Sequence, residues 1–246
     1  MSRGVVESWS GGYRYLSDAP GREGAERGRE AFRIDRHEDG SRVVTAHSEI
    51  DDAPAVVRDI SLRINPEGLP ADCSVRIAVG GRFAGSGWFT FGAREASCET
   101  LSATEGRLSQ RVSLTTPLRS FGSHAIVNDG LHLALYDLSK GPGEQHFNGL
   151  YLSSPDHRGA TGPLLFPIDL TIAYFGQETL TTAMGPMEAH HFAYTNVPGL
   201  LEEHPYYDLW CTTDGSYLLL LATVGGYMQT RYELVSLSHQ RMGEAL

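Results

Sequence analysis

Hydrophobic and polar residues alternate with a period of two along much of this chain. In residues 56–64 the positions Val56, Ile60, Leu62 and Ile64 share one face of an extended segment, and Arg58 stands among them. Such alternation predicts β-strands with one face towards a core, and no long window shows the 3.6-residue period of an amphipathic helix. Polar turns recur about every ten residues, a spacing typical of an antiparallel β-sandwich or β-barrel.

The same pattern places the individual strands. In the first half it predicts strands at 42–50 and 56–64 and two hairpins, 74–80 with 85–92 and 97–103 with 107–114. In the second half it predicts strands at 164–175, 178–182, 187–195, 206–212, 217–224 and 228–237. Asp39-Gly40 and Asp214-Gly215 are typical of tight hairpin turns. Residues 131–138 fit a short strand or a helical turn equally well.

Four segments of the first half recur in the same order in the second. Residues 28–32 correspond to 176–180, 42–50 to 187–195, 58–60 to 207–209 and 77–83 to 222–228, roughly 150 residues apart each time. This correspondence predicts an internally duplicated antiparallel β-barrel or two fused half-barrels. The halves are residues 1–114 and 164–246, with an unrepeated connection at 115–163, and together they form one structural domain.

Composition narrows the range of partners and compartments. The net charge of −10 argues against binding to nucleic acid or to an anionic membrane surface. The chain shows no secretion signal and no apolar run long enough to span a bilayer, so we expect a cytoplasmic protein. Three widely spaced cysteines without a CxxC motif fit reduced thiols rather than a metal or redox site. Open sheet edges make a homodimer plausible.

Part of the second half resembles a known group of bacterial proteins. Residues 176–192, followed by Asp208-Leu209-Trp210 and Asp214-Gly215, resemble uncharacterised lipoprotein-carrier-like β half-barrel proteins. There, two strands joined by a turn of small residues are followed by an aromatic hairpin. The resemblance implies a curved, lipocalin-like antiparallel sheet with an apolar molecule in its concavity. It implies no catalytic residues.

The unrepeated connection is rich in groups able to transfer protons. Four of the ten histidines (His124, His132, His146 and His157) fall within it, together with three aspartates, among them Asp129. Histidine titrates near neutral pH, and a neighbouring carboxylate orients it. One interpretation places His124 and Asp129 at the mouth of the barrel, acting on a bound molecule. The other is a loop with solvated histidines.

A second candidate lies on the predicted strand 187–195. Glu188, His190, Phe192 and Tyr194 share one strand face there, and His191 lies on the other. A concave first face would bring an acid, a base and two aromatic rings to a ligand, whereas a face towards solvent would not. His190 and His191 point in opposite directions, and no HExxH motif occurs, so we predict no metal site.

Aromatic and basic residues near the end of the chain complete the candidates. Trp210 and Tyr227 fit a core or the rim of a ligand site. Arg231 fits a structural ion pair with Glu233 or Glu178, or a cavity position where it would hold an anionic oxygen.

These observations favour a cofactor-independent enzyme with a barrel pocket. The expected chemistry is acid–base catalysis on a small apolar or aromatic metabolite by a lyase, hydratase, isomerase or cyclase. The predicted catalytic residues are His124, Asp129, His190 and Tyr194, and the predicted substrate-binding residues are Glu188, Phe192, Trp210, Tyr227, Arg231 and His146. The alternatives are a carrier of a hydrophobic molecule and a structural or interaction domain.

Overall fold

The structure is a computed structural model that describes residues 4–200 and 203–241. Within these residues the chain forms fifteen strands, one α-helix and a short 3-10 turn at Leu138–Lys140. The helix is α1 (Ile126–Leu133), and the strands are β1 (Val5–Ser17), β2 (Glu26–His37), β3 (Arg42–Ile50), β4 (Val56–Ile64), β5 (Pro70–Val79), β6 (Arg82–Phe91), β7 (Glu95–Ser102), β8 (Gly106–Ser113), β9 (Phe121–Gly122), β10 (Gly143–Leu152), β11 (Phe166–Thr182), β12 (Gly185–Asn196), β13 (Tyr207–Thr212), β14 (Leu219–Val224) and β15 (Thr230–Arg241).

All fifteen strands belong to one sheet. Its order is β8-β7-β6-β5-β4-β3-β2-β1-β15-β14-β13-β12-β11-β10-β9, so each strand from β1 to β8 lies beside its neighbour in sequence. The pairing of β1 with β15 joins the two ends of the chain in the middle of the sheet. The strand pairs are antiparallel except β9 with β10. The predicted all-β antiparallel fold is confirmed.

The sheet curls around α1. In a flat sheet β2 and β12 would lie about 24 Å apart, since four strands separate them and neighbouring strands are ~4.8 Å apart. Yet Glu30 of β2 accepts a hydrogen bond from the backbone N–H of Ile126, and the Tyr194 hydroxyl of β12 donates to the backbone carbonyl of Asp129, less than one helical turn further on. One face of the sheet is therefore concave, and α1 fills part of the concavity.

Close packing holds α1 in place. A Cβ atom at Gly130 would lie 1.9 Å from the backbone carbonyl oxygen of Tyr217, so only glycine permits this approach of the helix to the segment before β14. The helix has eight residues, and no helix in the described part of the chain is long and apolar enough to cross a membrane.

Most of the predicted strands agree with the structure, including the hairpins of β5 with β6 and of β7 with β8. The separate strands predicted at 164–175 and 178–182 were wrong, because both belong to β11. Its register with β12 shifts between Tyr174 and Gly176, so an irregularity within one strand lies where the pattern predicted a gap between two strands. Of the two alternatives for residues 131–138, the structure shows helix up to Leu133. Strands β1, β9 and β10 were not predicted.

The internal duplication remains a prediction. Strands β2 to β6 and β11 to β15 both follow one another in order across the sheet, but any series of hairpins produces that order. The predicted division into residues 1–114, 115–163 and 164–246 likewise stays a prediction. The unrepeated connection contains β9, α1 and β10.

Candidate functional site

A cavity of about 120 Å³ lies between α1 and the concave face of the sheet. Its wall is largely apolar and includes Ile50, Leu152, Ile168, Leu170, Val224 and Met228. Tyrosine, histidine, arginine and aspartate side chains interrupt this apolar wall. A pocket that combines an apolar wall with polar groups is the usual form of a small-molecule site.

The helix presents one face to this cavity. Ile126, Asp129 and His132 recur at intervals of three residues and all line the space. Glu30 fixes the helix N-terminus, because its carboxylate accepts hydrogen bonds from the backbone N–H groups of Ile126 and Val127, both at 2.9 Å. Two hydroxyls, those of Tyr15 and Ser48, also donate to Glu30, at 2.9 and 2.7 Å. Burial raises the pKa of Glu30, and these four hydrogen bonds oppose that rise.

Asp129 is the carboxyl group that borders the cavity. Its Oδ2 accepts a hydrogen bond of 2.8 Å from the Tyr207 hydroxyl. Burial raises the pKa of Asp129 to about 7, and the negative charge of Glu30 acts in the same direction, while Tyr207 and Arg58 oppose it. The carboxyl and carboxylate forms are therefore both populated near neutral pH, so Asp129 can donate or accept a proton there.

Several residues at the cavity have polar side-chain atoms without a hydrogen-bond partner in the described chain. Within the described part of the chain, Asp129 Oδ1, His132 Nε2 and the Tyr232 hydroxyl have no hydrogen-bond partner, and none of them is completely covered by other atoms. All three side chains line the cavity. Buried polar groups are normally satisfied. Unsatisfied groups that converge on one space therefore indicate where a ligand or water binds.

His132 and His124 are neutral at physiological pH. His132 Nδ1 lies 2.9 Å from the Ser120 hydroxyl, and burial lowers the pKa of His132 to about 4. His124 Nε2 donates to the backbone carbonyl of Ser154 at 3.1 Å. Burial and the positive charge of Arg58 lower the pKa of His124 to about 3. Neither imidazole therefore adds a positive charge to the cavity.

Arg58 brings a positive charge to the cavity wall. Its guanidinium donates to the backbone carbonyls of His124 and Arg158, and its Nε is buried without a partner in the described residues. No carboxylate of the described chain forms a salt bridge with Arg58. Burial lowers the pKa of Arg58 from its very high ordinary value.

Three of the four predicted catalytic residues meet at this cavity. His124, Asp129 and Tyr194 line it, and the Tyr194 hydroxyl donates to the Asp129 carbonyl at 2.8 Å. His190 does not line it, although it occupies the same strand face as Tyr194. Four residues separate the two along β12, about 13 Å of strand. His190 Nδ1 instead lies 2.9 Å from the Tyr174 hydroxyl. The catalytic roles stay predictions.

The predicted substrate-binding residues lie elsewhere. Phe192 is fully buried and packs against the rings of Tyr136 and Tyr174. Glu188 and His146 are exposed, where they pair with Thr179 and Thr171.

The remaining three are also outside the cavity lining. The Trp210 indole donates to Glu178, and Arg231 pairs with Glu233 at 2.8 Å, one of the two arrangements foreseen for it. Tyr227 is 54% exposed, and its ring packs against His157. None of the six predicted substrate-binding residues lines the central cavity, so a ligand there would contact other residues.

Most residues at the cavity were absent from the predicted site, among them Arg58, His132, Tyr207 and Tyr232. Arg58 was the one charged residue on the apolar face of strand 56–64, a signal that could have been read as a functional group. Asp129 and His132 have the i, i+3 spacing of one helix face, but that spacing is informative only once the segment is known to be a helix.

Comparison with known proteins identifies the fold. No family model matches the chain, and no curated protein matches it. It is similar to the crystal structure of a β-barrel-like protein of the domain of unknown function DUF1849 from Brucella abortus, with 11% identity, a TM-score of 0.60 and coverage of 96% of this chain and 98% of that one. A putative lipoprotein from Parabacteroides distasonis has 12% identity, a TM-score of 0.37 and coverage of 96% of each chain. The chain thus has the fold of an uncharacterised bacterial β-barrel-like protein, in agreement with the resemblance seen in its sequence.

Proposed function

We propose that the protein binds a small, mostly apolar molecule in the central cavity. The observation that carries this proposal is that Asp129, His132 and Tyr232, each with a polar atom that has no partner in the described chain, line one largely apolar cavity. The apolar wall would supply most of the affinity, and the three polar atoms would orient the ligand.

The volume and the rigidity of the cavity support this role. Its 120 Å³ is on the scale of the engineered apolar cavity of about 150 Å³ that binds one benzene molecule. Glu30 and the close contact at Gly130 fix α1, and therefore fix Asp129 and His132 before a ligand arrives. Pre-organised groups bind with less loss of conformational entropy.

Native mass spectrometry tests the proposal. We expect the purified protein to retain an organic molecule that is absent from the denatured mass, and to lose it in Val197→Phe, since Val197 lines the cavity and a phenylalanine there fills part of it. Val57→Phe, at a 37% exposed position on β4, is the matched control. Equal ligand content in the two variants would place the bound molecule elsewhere. A bare protein that also gains no thermal stability from any of a panel of small apolar compounds would overturn the proposal.

A second candidate function is acid–base catalysis on the bound molecule. The specific observation in its favour is the pKa of Asp129, about 7, at the edge of the cavity. A general acid or base works best when its pKa is close to the working pH. Many lyase, hydratase, isomerase and cyclase reactions include such a proton transfer.

Deuterium exchange tests for catalysis even while the product is unidentified. Small carbonyl and aromatic metabolites incubated with the protein in D₂O would gain deuterium at one carbon, as seen by NMR. Asp129→Asn should abolish this exchange, and Tyr206→Phe, outside the cavity lining, should not change it. Exchange at the same rate with Asp129→Asn would remove Asp129 from the reaction, and no exchange with compounds shown to bind would favour a carrier.

A further inference from the structure

We propose that the ligand of this cavity is a small apolar carboxylic acid, and that its carboxylate binds beside Asp129 so that the two groups share one proton. This inference rests on the proposed binding function and specifies the chemical class of ligand. It follows from the balance of charges around the cavity, from the donors that face it and from the position of Asp129.

The charges at the cavity favour an anion. Arg58 and Arg158 line it, and Asp129 is the one carboxyl group that does so within the described residues. Glu30 lies nearby, but its oxygens already accept four hydrogen bonds. Arg58 is 2% exposed and forms no salt bridge in the described chain, although the charges of Glu30, Asp129 and Asp156 act on it through space. Buried charges are most stable beside an opposite charge in direct contact, and an anionic ligand would supply such a contact.

The unsatisfied polar atoms fit a carboxylate. The Tyr232 hydroxyl is a donor, and its ring meets that of Tyr207, the hydrogen-bond partner of Asp129, with ring centres 6.3 Å apart. When the Ser120 hydroxyl donates to His132 Nδ1, His132 Nε2 carries the proton and donates into the cavity. Asp129 in its protonated form is the third donor. Two carboxyl groups at hydrogen-bond distance cannot both be ionised, and a shared proton relieves their repulsion.

An amine is the main alternative, because tyrosine rings and a carboxylate also suit a cation. The rings of Tyr194, Tyr207 and Tyr232 form a continuous series of edge contacts near Asp129. Against this, the buried Arg58 would repel an ammonium group across a space of low dielectric constant. The cavity offers no second carboxylate within the described residues to offset that repulsion.

The shared proton makes binding depend on pH. The groups that act on Asp129 from the surrounding strands are Glu30 of β2, Arg58 of β4, Tyr194 of β12, Tyr207 of β13 and Tyr232 of β15, with Tyr13 of β1 nearby. The pKa values of these tyrosines are raised above 10, so between pH 6.0 and 8.5 they stay neutral. The pKa of Asp129, about 7, lies inside that window. A carboxylate ligand should therefore take up a proton with it and bind more weakly as the pH rises.

Calorimetry tests the inference with three compounds that share a phenyl ring and differ in their polar group: benzoate, benzyl alcohol and benzylamine. We expect benzoate to bind most tightly at pH 6.0 and to lose about 30-fold in affinity at pH 8.5, since the fraction of protonated Asp129 falls by that factor. The same titration in buffers of different ionisation enthalpy should show proton uptake at pH 7.5. Stronger binding of benzyl alcohol or benzylamine than of benzoate would overturn the inference and leave the binding function intact. No binding by any of the three would count against both.

Two variants separate the carboxylate role from folding. In Asp129→Asn the amide donates at every pH, so benzoate should still bind, with an affinity that changes less than about threefold between pH 6.0 and 8.5 and without proton uptake. Tyr232→Phe should weaken benzoate about tenfold, the usual effect of one lost hydrogen bond to a charged group, and leave benzyl alcohol nearly unchanged. A pH dependence that survives in Asp129→Asn would overturn the shared proton. Tyr206→Phe serves as the control for both.

Discussion

Two clusters of aromatic, histidine and acidic side chains lie on opposite faces of the same sheet, and only one of them has features of a site. On the outer face, His191 stacks on Trp210 with ring centres 4.3 Å apart, and its two nitrogens lie 2.8 Å from Asp208 and 3.4 Å from Glu178. On the inner face, at the cavity, Asp129 keeps one carboxylate oxygen without a partner in the described chain.

The two clusters contain similar residue types. They differ in whether their polar groups have hydrogen-bond partners and in how far they are buried from water. The hydrogen-bonding groups of the outer cluster are used within the cluster and stand partly in water, so they stabilise strand pairing by a small amount. At the cavity the surroundings are apolar, which shifts the pKa values of Asp129 and His132 and leaves polar atoms free to bind. His190 and His191 are adjacent in sequence, yet neither lines the cavity. A dense set of catalytic residue types is therefore a weaker indicator of a site than polar groups without hydrogen-bond partners around one cavity.

The largest expected effect concerns the carboxylate that holds α1. Glu30→Ala removes the acceptor of four buried hydrogen bonds and should lower the free energy of unfolding by about 3–5 kcal/mol, measured by urea titration. Glu49→Ala is the matched control, because Glu49 pairs with Arg29 on the exposed side of the neighbouring strand and should cost less than about 1 kcal/mol. Equal losses in the two variants would mean that Glu30 is not essential for holding the helix.

The next effect concerns the pH dependence that Asp129 imposes on stability. In the folded state the pKa is about 7, against an ordinary value of 3.8, so the folded protein binds more protons than the unfolded chain between these values. The stability contributed by Asp129 is complete below about pH 3.8 and is lost as the pH rises through 7. Asp129→Asn should remove this loss, which amounts to up to about 4 kcal/mol. The variant should therefore be more stable than the unmodified protein at pH 8. Parallel stability curves for the two proteins would contradict the buried position of Asp129.

His132 should give the folding stability the opposite dependence on pH. Burial lowers its pKa from 6.5 to about 4, so its contribution to stability is complete above pH 6.5 and is lost as the pH falls to 4. His132→Gln keeps a hydrogen-bonding group for Ser120 and should reduce acid destabilisation by up to about 3 kcal/mol. Thermal unfolding between pH 4 and 7 measures the difference. An unchanged slope would mean that His132 is in contact with water and that the cavity is wetter than its lining indicates.

The sequence predicted the fold more fully than the site. Period-two alternation located most strands, because strand pairing and burial act on neighbouring residues and leave a local signal. The prediction of two strands in place of β11 was wrong, because Gly176 lies at an irregularity within the strand and not in a turn. Asp129 and Tyr194 were found from their chemistry. These two residues meet only because the sheet is curved. The curvature brings β2 and β12, which four strands separate, into contact with α1. No local sequence pattern encodes that curvature.

The smallest expected effect compares one aromatic residue from each cluster. Trp210→Phe keeps a ring to stack on His191 but removes the indole hydrogen bond to Glu178 at the surface, which should cost less than about 1 kcal/mol. Tyr232→Phe removes a hydroxyl that has no partner in the described chain, so its stability should change by a similarly small amount. The two variants should differ only in ligand affinity, measured by calorimetry with benzoate. Because neither change disturbs the fold, weaker binding in Tyr232→Phe alone would assign recognition to the concave face, whereas equal weakening in both would assign it to the sheet as a whole.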